Sequence, residues 1–256
     1  MVGQGAVGLG VKPLAHGNLV AREAVSDRDV QLSLDLRRRA FIRPGENKGR
    51  TLSDRDGFDA IYNHVLIERQ GTMVACFRIK IFADPQSLLV SHSGQHYDLG
   101  PLSGLTGPFA DIGRLAAEPG DGDPDILRMV WGMLARLVET HRLRYLLGCT
   151  SFAGADPVHH APALSALCQG HIGPNALLPK RKAGATVELT LANQPPDPTR
   201  IPPLLRSYLA LGAWVSDHAV IDAQLDTLHV FTLLDVAAVP PARARALRRI
   251  GAGSPC

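Results

Sequence analysis

Apolar and polar positions change period most sharply between Phe109 and Phe152. Phe109–Ala117 reads as a strand, and Tyr145–Thr150 as a second, buried one. Between them, Leu127, Val130, Leu134, Leu137 and His141 recur at the three-and-four spacing of one helix face, with Met129, Met133 and Arg136 alongside. Asp123 is placed to cap the first N–H groups of that helix, and Pro124 suits its first position. A strand–helix–strand unit of this length predicts a right-handed crossover between parallel or near-parallel strands.

Weaker patterns flank this unit. Leu19–Ala24 reads as a short strand, and Ser26 opens a helix over Val30–Phe41 with Leu32, Leu36 and Ala40 on one face. Residues 42–50 are a loop by their Pro and Gly content. Asn63–Arg69 and Met73–Phe82 alternate around Gln70-Gly71, which predicts a hairpin. Residues 88–107 carry no period and read as irregular, and 152–162 as a loop. Ala163–Gln169 predicts one or two helical turns, residues 177–185 a basic loop, and Thr186–Leu191 a strand. Beyond the prolines of 195–203, Leu204–Leu211 reads as a helix stopped by Gly212. Trp214–His218 and Thr227–Leu234 read as closing strands. The expectation is one α/β domain with a mixed sheet over residues 18–240, a loose leader over 1–17, and a basic, partly helical tail over 241–256.

Composition narrows the classes. A chain of 256 residues, 45% hydrophobic and 20% charged, buries a sizeable core. Four unpaired-looking cysteines fit a reducing cytoplasm and argue against a disulfide framework or zinc site. Net charge is only +3, yet basic residues cluster at Arg37–Arg39, Lys180–Lys182 and Arg243–Arg249, as solvated surface or as a footprint for an acidic partner or anionic membrane. Aromatics, at 5%, do not interleave with them, so no nucleic-acid partner is expected. No run of 18 apolar residues predicts a membrane span, and the glycine-rich start lacks the charged region of a signal peptide.

HExxH, GxSxG, P-loop and GxGxxG motifs are absent, and no metal is expected: His159-His160 reads as an ordinary loop pair. Cys149 reads as a small core residue. Asp56 and Asp59 share a face at one turn's spacing, either as chemistry or as a capping segment. Asp111 and Arg114 interrupt an apolar strand, and buried charges there must be paired or used.

Ordered along the chain are Leu36-Arg37 with Phe41, Asp56-x-x-Asp59, Cys76-Phe-Arg78, Tyr97-Asp-Leu99, Asp111-Ile-Gly-Arg114, Leu147-Gly-Cys-Thr-Ser-Phe152 with Asp156-Pro157, and Pro202–Leu209. The run Gly212–Asp222 with Leu228–Thr232 follows. Together they resemble the ornithine–acyl carrier protein N-acyltransferases of ornithine-lipid synthesis and, more distantly, the acyl-homoserine-lactone synthases. The resemblance implies a GNAT-like acyltransferase fold, α/β, with a mixed central sheet flanked by helices in a single domain. It departs from the family at Asp111, where glutamate is usual, and at Leu115-Ala-Ala117. The acidic stretch Glu118–Asp123 stands where other acetyltransferases cradle a coenzyme diphosphate.

The implied reaction moves a 3-hydroxyacyl group from acyl carrier protein to the α-amine of L-ornithine, with no cofactor beyond the carrier's phosphopantetheine arm. Asp111 is the first candidate for general base and Asp59 the second, with Arg114 beside them in catalysis. A backbone N–H near Gly113 would face the oxyanion. Arg37, Arg78 and Arg114 either hold the ornithine carboxylate or the phosphate, or neutralise Asp56, Asp59 and Asp111. Phe41, Cys149, Ser151 and Phe152 complete the expected binding residues. Basic surfaces, including Arg128, Arg136, Arg142 and Arg144, suit acyl carrier protein and peripheral attachment to the cytoplasmic membrane. Two other readings stay open: an acyltransferase for lysine, glutamine or S-adenosylmethionine, and a non-catalytic module binding carrier protein or membrane.

Overall fold

A computed structural model of the chain describes residues 7–42, 54–191 and 195–253. The first half holds β1 Leu14–His16, β2 Leu19–Glu23, α1 Asp27–Phe41, β3 Asn63–Arg69, β4 Thr72–Phe82, α2 His92–His96, β5 Tyr97–Asp98 and β6 Phe109–Ala117. The second half holds α3 Pro124–His141, β7 Tyr145–Ala153, α4 Pro157–Gly170, β8 Lys180–Arg181, β9 Thr186–Glu188, α5 Pro203–Ala210, β10 Trp214–Asp222, β11 Thr227–Asp235 and α6 Pro241–Ala252. Short 3-10 turns punctuate the loops, one of them at Gly57–Ala60. The chain divides into two compact units. One comprises residues 1–80, 112–143 and 241–256, and the other 81–111 and 144–240.

In the first unit, β1, β2, β3 and β4 pair antiparallel in that order. The β3–β4 turn puts Gln70 at φ 50° and Gly71 at φ 80°, the paired left-handed conformation whose twist suits a two-residue hairpin. Ser26 caps α1 by accepting the Asp29 N–H, and α1 lays Leu36 against Leu66, Cys76 and Ala116. Phe41 packs at the edge of this cluster. Asp123 caps α3 as its sequence predicts, accepting the Asp125 N–H.

The stretch read as a loose leader is corrected by α3, which also carries the tail, helical over Pro241–Ala252. Arg136 donates to the carbonyls of Lys12, Pro13 and Gly251, and His141 pairs with the Leu9 carbonyl at 2.7 Å. Residues 14–16 form a strand, Leu9 and Leu14 are buried, and α6 lies along α3 with Ile250 and Gly251 close to Gly132. The first segment carries too little apolar period to be read alone; a surface on α3 shared with α6 receives it.

In the second unit, β7, β11, β10 and β9 pair antiparallel in that order, and β5 pairs β8. On one sheet face, Phe152, Val215, Ala219, Leu228 and Val230 meet Ala163, Leu164 and Leu167 of α4 and Leu205 of α5. The loop expected over 152–162 is corrected: α4 begins at Pro157, with Asp156 accepting the Val158 N–H. Pro162 lies inside it, six positions from the start, where its missing N–H costs one helical bond. Two prolines thus masked an Asp-Pro start of the same kind as the one before α3. The irregular stretch 88–107 is also corrected, since it contains α2 and β5, both too short to show a period.

Gly132 is the tight point of the first unit. A Cβ there would come within 2.7 Å of Ile250 Cγ2 and Leu14 Cδ2. Gly132→Leu is expected to cost about 1–3 kcal/mol by overpacking. Thermal unfolding of the variant should shift down by several degrees, and an unchanged midpoint would mean that α6 and β1 do not sit on α3.

Candidate active site

Three arginines and three aspartates meet inside the first unit. Arg37 of α1 is 1% exposed and donates Nε–H to Asp54, Nη1–H to Asp59 Oδ1 at 2.6 Å, and Nη2–H to the Asp54 carbonyl at 3.1 Å. Arg78 of β4 is fully buried. It donates to Asp59 at 2.8 Å and grips Asp56 through both Nη atoms, at 2.6 and 2.8 Å. Arg114 of β6 donates to Asp56 Oδ2 at 3.1 Å. Asp56 and Asp59 belong to one short 3-10 turn, Gly57–Ala60 with its cap. Asp56 caps it by accepting the Phe58 N–H, and Asp59 returns the bond to the Asp56 N–H. The capping reading and the charged reading of this pair therefore both hold.

Electrostatics keep Asp59 ionised. Burial opposes the charge on Asp59, but the Arg37 hydrogen bond and the charges of Arg37 and Arg78 win, holding its pKa at about 2. Such a carboxylate is a poor proton acceptor, which weighs against Asp59 as the base. His64, packed between the Ser33 hydroxyl and the Asp59 carbonyl, is pushed down by burial and stays neutral. Burial and the neighbouring Arg78 charge lower the pKa of Arg114.

Arg114 carries two further marks. Its φ is 52°, a left-handed residue within a strand and a costly conformation for a side chain of this size. Next to it, Gly113 leaves an open approach, with only Arg78 Nε within 4.0 Å of where a Cβ would lie. Buried without acceptors are Arg78 Nε and Arg114 Nε. Two guanidinium N–H donors left unpaired in the interior are costly unless a ligand supplies the acceptor.

The second unit holds Asp111, Cys149, Ser151 and Phe152. Asp111 is 1% exposed and accepts the Ser93 N–H at 3.0 Å and the Ser93 hydroxyl at 2.8 Å, at the start of α2. Cys149 Sγ stands 3.7 Å from the Ser93 hydroxyl, so it faces a polar group rather than a wholly apolar core. Ser151 is exposed on β7, and Phe152 is buried against α4 on the opposite sheet face. Sequence reasoning missed Asp54, His64 and Ser93. Asp54 carried a signal, two residues before the Asp56–Asp59 pair; Ser93 lay in the stretch with no period. The described residues hold no cluster of three or more His, Cys, Asp or Glu fit for a metal. His160 pairs with the Gly154 carbonyl at 2.9 Å.

Residues 36–132 match the family model of the acetyltransferase (GNAT) domain. The chain is 26% identical to an L-ornithine N(alpha)-acyltransferase of Rhodobacter capsulatus, over 89% of this chain and 92% of the relative. It is 28% identical to an enzyme of the same name from Brucella abortus, over 86% of this chain and 85% of the relative. Among solved structures it is similar to FeeM, an N-acyl amino acid synthase from uncultured soil microbes, at 10% identity and a TM-score of 0.49, covering 94% of this chain and 98% of that one. These matches agree with the resemblance read from the sequence, and the α/β architecture expected there, a mixed sheet flanked by helices, stands. No described helix is long and apolar enough to cross a membrane.

The Asp59 shift has a pH consequence. Its folded pKa, about 2, lies below the ordinary 3.8, so its contribution is complete above pH 4 and is lost as pH falls toward 2. The difference corresponds to about 2 kcal/mol. Asp59→Asn should remove that part of the acid sensitivity of the urea midpoint. Arg37→Met should be worse at every pH above 4, by about 3–5 kcal/mol, because it strands buried Asp54 and leaves Asp59 to Arg78 alone.

Proposed function

We propose that this protein transfers a 3-hydroxyacyl group from the thioester of acyl carrier protein to the α-amino group of L-ornithine. The relatives of that name, similar along most of the chain, support the acceptor. The observation that carries the reading is the pair of buried Nε–H donors on Arg78 and Arg114. A free amino acid brings a carboxylate that accepts from both in a charge-assisted pair. Asp56, 27% exposed, is the side chain of the cluster best placed to meet the δ-ammonium.

In the proposed reaction the neutral α-amine attacks the thioester carbonyl, the C–N bond forms, the C–S bond breaks, and one proton passes from nitrogen to the leaving sulfur. Backbone N–H groups near Gly113 stabilise the oxyanion, and their strand leaves its regular path at Arg114. Asp111 is our candidate for the carboxylate that takes the amine proton, with Ser93 as its hydrogen-bond partner. Exposed Arg243, Arg245, Arg248 and Arg249 on α6 offer a basic face to an acidic carrier protein and to an anionic membrane surface. Glu118 and Asp121, engaged by Arg39 and Arg69, supply no cradle for a coenzyme diphosphate, which favours a carrier-borne donor.

The test offers the purified protein 3-hydroxyacyl carrier protein with a mixture of ornithine, lysine, glutamine and S-adenosylmethionine. Products are followed by mass spectrometry and thiol release. An ornithine amide alone is expected. Another amide would replace the acceptor, and no product at any chain length, with or without anionic vesicles, would favour a binding module. Arg114→Gln should raise the KM for ornithine by about 10–100-fold, the loss expected for one charge-assisted contact. An unchanged KM would remove the carboxylate subsite.

A further inference from the structure

The run Gly212–Asp222 remains without a role in the reading above, and it contains a histidine with an unusual environment. The β10–β11 register slips between Val215 and Ala219. Inside this bulge the Ser216 hydroxyl accepts the Phe231 N–H at 3.1 Å and donates to the His218 carbonyl at 2.6 Å, mending the ladder with a side chain. The slip also lets Asp217 and His218, neighbours in sequence, touch. His218 Nδ1 lies 2.7 Å from Asp217 Oδ1, with the carboxylate 49% exposed and the imidazole 1% exposed.

An ionised carboxylate only accepts, so Nδ1 carries a proton, and in the neutral imidazole Nε2 then presents its lone pair. His218 Nε2 is buried and has no partner. Tyr97, its ring centre 5.2 Å from that of His218, donates its hydroxyl to the His229 carbonyl at 2.8 Å. Val220 pairs with His229, His229 with Ser151, and Phe231 with Cys149, and side chains two apart on a strand share a face. His218 therefore belongs to the sheet face that carries Cys149 and Ser151, and the buried rings of Phe231 and Tyr97 pack together on it, centres 5.7 Å apart.

We infer that His218 Nε2 is the hydrogen-bond acceptor for a hydroxyl on the acyl chain, and so the residue that selects hydroxylated over plain acyl donors. An apolar chain carrying one hydroxyl matches aromatic walls holding one orphan acceptor. A plain chain would leave the acceptor dry and unpaired, the arrangement that gives polar sites their strongest discrimination. Asp217 acts through His218, as a positioning residue that fixes the tautomer. The inference rests on the proposed acyl transfer for its substrate class.

The test compares kcat/KM for 3-hydroxyacyl and unsubstituted acyl carrier protein of equal chain length, with wild type, His218→Phe and Asp217→Asn. Wild type is expected to favour the hydroxylated donor at least 100-fold. His218→Phe should bring the ratio within about fivefold by losing the hydroxylated donor while keeping the plain one. Asp217→Asn, a change at the surface, should lower the ratio about tenfold with an unchanged melting temperature. A wild type with no preference, or a His218→Phe protein that loses both donors equally, would overturn the inference. Trp214 fluorescence on binding the two free acids gives the same preference without turnover. A protein inert toward ornithine that still prefers the hydroxy acid would sink the proposed function and keep the His218 site, whereas turnover of ornithine with equal binding of both acids would do the reverse.

Discussion

A guanidinium with almost no solvent around it cannot stand alone, and Arg37 is the point from which the first unit is held together. Its donors reach Asp54 and Asp59, and those carboxylates require a second cation, which Arg78 supplies from β4. The network ties α1, the 3-10 turn and the hairpin through bonds whose failure strands a buried charge. An isolated surface pair is worth about 0–1 kcal/mol, but breaking a buried one costs about 3–5 kcal/mol. Precise placement rather than net stability is what such a network gives, since apolar replacement of a buried ion pair is often neutral or stabilising. A charged cluster kept at this desolvation cost is best understood as a device for aiming the donors it leaves unpaired.

Much of this was legible because periodicity is a local property. The α3 cap at Asp123-Pro124, the Gln70-Gly71 hairpin and the α1 face each depend on residues within one or two turns of one another, and each stands in the structure. What escaped depends on distant partners. Residues 14–16 become a strand only beside β2. Ser93 gains meaning only once Asp111 arrives eighteen residues later. Pro157 and Pro162 misled for a different reason: a proline at the first helical position supports a helix, while one at the sixth argues against it, and composition alone does not separate the two.

The site divides in the same way. Asp111 and Arg114 read as buried charges to be paired or used, with Arg37, Arg78 and Arg114 either holding a ligand or neutralising Asp56, Asp59 and Asp111; the structure pairs the arginines with Asp54, Asp56 and Asp59, while Asp111 accepts from Ser93. Their chemical roles did not follow from spacing. Asp59 has the right type for a base and the wrong environment, because two arginines hold its proton affinity near a pKa of 2. Arg114 has the type of a neutralising cation, yet its left-handed backbone and its unpaired Nε mark it as directed at something else.

Unpaired buried groups separate the residues that hold the fold from those that await a ligand. Of the buried side-chain atoms left without a partner among the described residues, two are N–H donors on arginines in one unit and one is the imidazole acceptor of His218 in the other. An amino acid brings a carboxylate acceptor, and a hydroxylated acyl chain brings a single donor, so the polarity of each orphan matches one of the two proposed substrates. Each orphan costs about 1–3 kcal/mol in the empty protein. That cost is recovered only by the ligand that completes the pair, which makes the same atoms the source of selectivity: an amine without its carboxylate, or a chain without its hydroxyl, would bind and leave the penalty standing.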